Sequence, residues 1–185
     1  MKKRYFAIPI LAIALHFLLS NLLYFLVERL VLDVFHIPPQ QFMKYSYWGE
    51  ILIYAVLILV FFTLYKLLWR KEISEPRTAT NFKDVLGSLV VGFGICGISG
   101  LWIMLAEQLP SLQKSVEAMN AGAENIAGGN AFGTFMIAVI AAPVVEEILF
   151  RGIVLRSMRK FTPAWAAILI SSVLFGAYHL NIVQA

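Results

Sequence analysis

The 185 residues include 60% hydrophobic and 14% charged side chains, with a net charge of +4 and a mean hydropathy of +0.78. Soluble domains average about 45–50% apolar and about 25% charged residues, so this composition belongs to the membrane class. Cys96 is the single cysteine, which excludes an internal disulfide framework. The chain also lacks a Gly-rich phosphate loop, a CxxC pair and a basic-aromatic run, so nucleic acid is not an expected partner.

A bilayer core of about 30 Å needs about 20 apolar helical residues. Five segments meet that requirement: 5–27, 48–69, 85–106, 131–155 and 163–184. The first follows Lys2, Lys3 and Arg4 as a signal peptide would. Its apolar stretch is nevertheless longer than the about 7–15 residues of a signal h-region, and no small-x-small cleavage site follows, so it reads as a retained helix. His16 stands alone in its middle. With no partner nearby in sequence, it reads as a hydrogen-bonded structural histidine rather than a ligand or proton carrier.

Trp48 and Trp69 sit at the two ends of the second span, where interface anchors are expected. In the third span Ser88, Gly92, Cys96 and Gly100 recur every four residues. Such a stripe of small side chains is expected to pack against a neighbouring span. The connector 107–130 is polar, ends in a Gly-Gly-Asn turn signal and suits a short interfacial helix in its middle. The fourth span is the least regular, being interrupted by Pro143 and by charges.

Basic residues mark alternate connectors. Lys2, Lys3 and Arg4 precede the first span. Arg70, Lys71, Arg77 and Lys83 separate the second from the third, and Arg156, Arg159 and Lys160 the fourth from the fifth. The positive-inside rule then places the N-terminus in the cytoplasm and connectors 28–47 and 107–130 outside. The expected fold is an all-α, polytopic transmembrane bundle of about five spans, with residues 1–185 as a single membrane domain and the bilayer as its partner.

Residues 144–155 read VVEEILFRGIVL. Glu147 and Arg151 are four apart, share a helix face and are expected to pair, because an unpaired arginine in low dielectric costs several kcal/mol. Glu146 points about 100° away from Glu147 on a helix. A second intramembrane carboxylate without a structural partner reads as a functional group. One span later comes SSVLFGAYHLNIVQA, with His179 expected within the fifth helix and Phe175 one turn before it. A carboxylate and an imidazole on successive helices suit water activation, with the carboxylate as general base and the imidazole binding a metal or polarising a carbonyl. The same groups would also serve proton relay in a carrier, although no inverted repeat supports that reading. Continuing the fourth helix through Ser157 is expected to bring Glu146 and His179 within about 8 Å.

EEILFR at Glu146–Arg151 and FGAYH at Phe175–His179 resemble the EExxxR and FxxxH motifs of the CPBP family of intramembrane peptidases. That family includes type II CAAX prenyl proteases and abortive-infection and bacteriocin-immunity proteins. The resemblance covers about residues 131–183. It implies a metalloprotease-like hydrolase acting on a peptide or protein substrate at the membrane. Glu146 would activate the water, Glu147, Arg151 and Phe175 would support the site, and His179 would be a ligand or oxyanion stabiliser. A divalent metal such as zinc would be held by Glu146 and His179. Family members add a histidine and an asparagine in a later HxxxN-like motif, whereas six residues follow His179 here. Asn181 is not an expected substitute. The chain is therefore expected to be a C-terminally truncated peptidase or an inactive relative serving as a non-catalytic immunity or scaffold protein.

Overall fold

The computed structural model describes residues 3–36, 38–73, 81–127 and 131–183, and these contain helices and no strand. Helix α1 spans Lys3–Arg29 and runs into a π-helical turn at Leu30–Val34. Helix α2 spans Pro39–Leu68 and is followed by one helical turn at Arg70–Ile73. Helices α3 and α4 span Phe82–Glu107 and Gln113–Ala127. Helix α5 is a run over 131–158 in which α turns alternate with π turns at Phe135–Ala141 and Glu147–Leu155. Helix α6 spans Ala164–Tyr178.

Local chemistry explains several of these boundaries. Pro39 opens α2, where a missing N–H costs nothing. Asn81 and Asp84 form a reciprocal capping box at the start of α3. Within α5, Pro143 has no N–H to offer residue 139 and its ring crowds that carbonyl. The turn before it widens, and the Ala142 N–H reaches back to the Ile137 oxygen.

Segments Tyr5–Val34, Tyr47–Leu68 and Phe82–Glu107 are long and apolar enough to cross a membrane. Their large side chains point outward, with Leu18 71%, Leu59 67% and Phe93 77% exposed. In water a surface of this kind would drive aggregation; in lipid it is the solvent-facing surface. The chain is an all-α membrane bundle. Its core joins α1, α2, α5 and α6 through Ala12, Leu57, Phe61, Leu149, Ile153 and Ala167. At Gly133 the backbone of α5 presses on α2, since a Cβ there would come within 2.8 Å of the Tyr47 ring.

Three expectations are corrected. The fifth apolar segment does not continue as helix to residue 184. It ends at Tyr178, and 15 residues at about 1.5 Å each give about 22 Å, short of the bilayer core of about 30 Å. Trp69 is not a lipid-facing anchor: it is 2% exposed, stacked on Tyr5, and its indole N–H donates to the Gly152 carbonyl at 3.0 Å. The small-residue stripe of α3 is not packed by a described neighbour. Gly92 and Gly100 have no neighbouring atom within 4 Å of a Cβ position, and Cys96 is exposed. Helix α3 is held at its far end instead, where Ala106 is buried with Val116 and Val183, and Trp102 donates to the Val183 carbonyl at 3.1 Å. The connector helix expected within 107–130 is present as α4.

Candidate functional site

Glu146 ends an α turn of α5 and Glu147 begins the π turn that follows. Glu146 turns towards α6, and its side chain is 28% exposed. Glu147 pairs with Arg151 at 3.1 Å, the side chains being 54% and 76% exposed respectively, and both line the cavity beside Glu146. The pair forms as its four-residue spacing requires.

His179 lies just beyond the last residue of α6 rather than within a fifth helix. Its Nδ1 is 2.9 Å from the Phe175 carbonyl oxygen. A carbonyl can only accept, so Nδ1 carries the proton, and in neutral imidazole Nε2 then presents a lone pair. That Nε2 lies 3.8 Å from Oε1 of Glu146, too far for a direct hydrogen bond. The two groups nonetheless fall well within the expected 8 Å, and α5 does continue past Ser157 to Met158.

Two facing acceptors suit a donor placed between them. A water molecule giving one hydrogen to each would hold them about 4.5 Å apart with bonds of about 2.8 Å, a small side-chain adjustment from the observed separation. The aromatic shell restrains the imidazole. Phe175 packs edge-on against His179 with ring centres 4.7 Å apart, and Phe150 packs edge-on against Phe175 at 5.0 Å. A cavity of about 300 Å³ opens beside the site, lined by Pro143, Glu146, Arg151, Ser171, Ser172 and Phe175 among others.

The residues fit a catalytic zinc poorly. Such a metal normally takes three protein ligands. Among the described residues no three His, Cys, Asp or Glu side chains converge on one point, so Glu146 and His179 stand as a two-donor pair. Asn181 supplies no third group. Its side-chain amide donates to the Ser115 carbonyl at 2.8 Å, and its oxygen accepts the Val183 N–H at 2.9 Å.

Three contributors escaped the sequence reading. Tyr178 packs edge-on against both Phe150 and His179, although it lay in plain sight within FGAYH. Glu72 ties the turn after α2 to Arg156 at 3.2 Å and to Lys160. Arg156 and Lys160 entered the sequence reading as basic connector residues, and an acidic residue 84 positions from Arg156 leaves no local signal. Asn181, weighed in the sequence only as a substitute ligand, acts as a structural tie to Ser115.

Residues 128–185 match the family model described as type II CAAX prenyl endopeptidase, Rce1-like. The match spans both EEILFR and FGAYH, and the earlier helices of the chain lie outside it. No curated protein and no solved structure matches the chain.

Proposed function

We propose that this CAAX-protease-like membrane protein is a peptide hydrolase in which Glu146 and His179 hold and activate one water molecule. The observation that carries the reading is the 3.8 Å approach of Glu146 Oε1 to His179 Nε2, with Nδ1 committed to the Phe175 carbonyl. A water donating to both groups turns its own lone pairs towards the cavity. Glu146 takes one proton as the water oxygen attacks a peptide carbonyl bound there, forming the tetrahedral intermediate. The same proton then passes from Glu146 to the departing amine as the carbon–nitrogen bond breaks, leaving a carboxylic acid and a free amine. His179 orients the water through Nε2. The second carboxylate, Glu147, is held by Arg151 rather than by His179. The N-terminus is cytoplasmic on this reading, from the distribution of basic connectors.

The test is cleavage by the purified chain in proteoliposomes, using prenylated peptides with CAAX-type C-termini and unprenylated controls, with new termini read by mass spectrometry. Glu146→Gln is expected to lower the rate by about 10²–10⁴-fold without altering the fold. Cleavage that survives this change sinks the reading. A wild-type chain that binds the peptides and cuts none supports a non-catalytic scaffold.

A further inference from the structure

Water activation makes no use of His16, yet this residue connects to the site from the other end of the chain. It lies in the middle of α1 and is 7% exposed. The hydroxyl of Tyr178, the last residue of α6, is 3.1 Å from His16 Nδ1 and 3.3 Å from its Nε2. The hydroxyl has one proton, so it bonds to whichever ring nitrogen the tautomer leaves free. The His16 and Tyr178 rings pack edge-on with centres 5.3 Å apart, and Phe17 adds a tilted contact to Tyr178 at 5.1 Å. His16 also lies against Phe61 of α2, with ring centres 5.7 Å apart.

The position of Tyr178 gives this contact its consequence. Helix α6 stops there, His179 is the capping residue, and Leu180 takes a left-handed conformation with φ 52°. A helix end has no following turn to hold it, and terminal turns open at low free-energy cost. Beyond His179 the chain is tied through Asn181 to Ser115 and through Val183 to Trp102, and the turn before it depends on Tyr178. Tyr178 is anchored by its hydrogen bond to His16 and by its ring contacts with Phe17 and Phe150.

We infer that His16 is a positioning residue: its hydrogen bond to Tyr178 clamps the last turn of α6 and so fixes the His179 imidazole opposite Glu146. The consequence for rate rests on the proposed hydrolase; the clamp itself does not.

Diethyl pyrocarbonate acylates unprotonated imidazole nitrogen, so its rate of reaction at His179 reports how freely that ring is presented. The experiment uses the full chain in lipid nanodiscs, with modification at His179 and at His36 followed by mass spectrometry. Tyr178→Phe keeps the ring and removes the hydroxyl. His16→Leu removes the partner, and His16→Gln restores a polar one. The His179 rate is expected to rise about fivefold or more in Tyr178→Phe and in His16→Leu, as a clamped turn becomes an opening one. It should return towards wild type in His16→Gln, with the His36 rate constant throughout. An unchanged His179 rate in Tyr178→Phe overturns the clamp, whatever happens to the His16 variants. A parallel rise at His36 also overturns it, because general loosening then explains the result. Where peptide cleavage is measurable, Tyr178→Phe should lower kcat about tenfold with KM little changed; unchanged kcat overturns the positioning role. If no variant cleaves, the hydrolase reading fails while the modification rates still decide the clamp.

Discussion

Trp69 donates its indole N–H to the carbonyl oxygen of Gly152 at 3.0 Å, joining the end of α2 to the π-helical part of α5 just beyond the candidate site. Gly152 also accommodates Tyr65, whose ring carbon would lie 3.2 Å from a Cβ added there. The indole is thus both filler and donor. Trp69→Phe retains most of the packing and leaves the Gly152 oxygen without this donor. Destabilisation of about 1–3 kcal/mol is expected, read from reversible unfolding in mixed micelles. A loss indistinguishable from zero would mean that a water molecule or a neighbouring N–H replaces the indole.

The Glu147–Arg151 pair is more than half exposed and lines the cavities beside α5. Removing one member leaves a lone charge, which insertion scales value at about 2.5–3.5 kcal/mol near a helix centre. Water reaching the pair through the cavities reduces that figure. Glu147→Gln and Arg151→Met should each lower the monodisperse yield, and the double variant should recover part of the loss. Additive losses in the double variant would show that the two side chains act independently.

Glu72 lies outside the apolar spans and holds Arg156 and Lys160 at the end of α5. Its carboxyl is held below the ordinary 4.5 chiefly by the Lys160 hydrogen bond, against partial burial, with the charges of Lys160 and Arg156 adding to the effect. A group with a depressed folded-state pKa binds fewer protons folded than unfolded, so its contribution is present above 4.5 and fades as pH falls through the folded value. Melting temperature should therefore fall less steeply on acidification below that pH in Glu72→Gln than in the wild type. Identical acid limbs would remove the linkage.

Orientation is testable without activity. In a Cys96→Ser background, a cysteine placed at Thr78 should resist an impermeant thiol reagent in intact cells, and one placed in connector 107–130 should react. Labelling at Thr78 from outside would reverse the assignment drawn from the basic connectors.

Composition alone determined the solvent of this chain, because an apolar content this high leaves no other medium for helices whose large side chains point outward. The spacing of Glu146, Glu147 and Arg151 determined which carboxylate would pair and which would turn away, since residues on one helix are related by a fixed rotation. Where the fifth apolar segment ends was not legible in the same way. Leu180, Ile182 and Val183 continue the greasy pattern, and hydropathy cannot see that Asn181 bonds to Ser115 and that Val183 is buried beside Ala106 and Val116. Those contacts end the helix at Tyr178 and put His179 on a cap. The ties from His16 to Tyr178, Trp69 to Gly152 and Glu72 to Arg156 join residues 162, 83 and 84 positions apart. Periodicity and motif spacing carry information over a turn or two of helix. Which distant polar groups meet is decided when the helices pack, because each buried donor and acceptor must then find its partner inside the bundle.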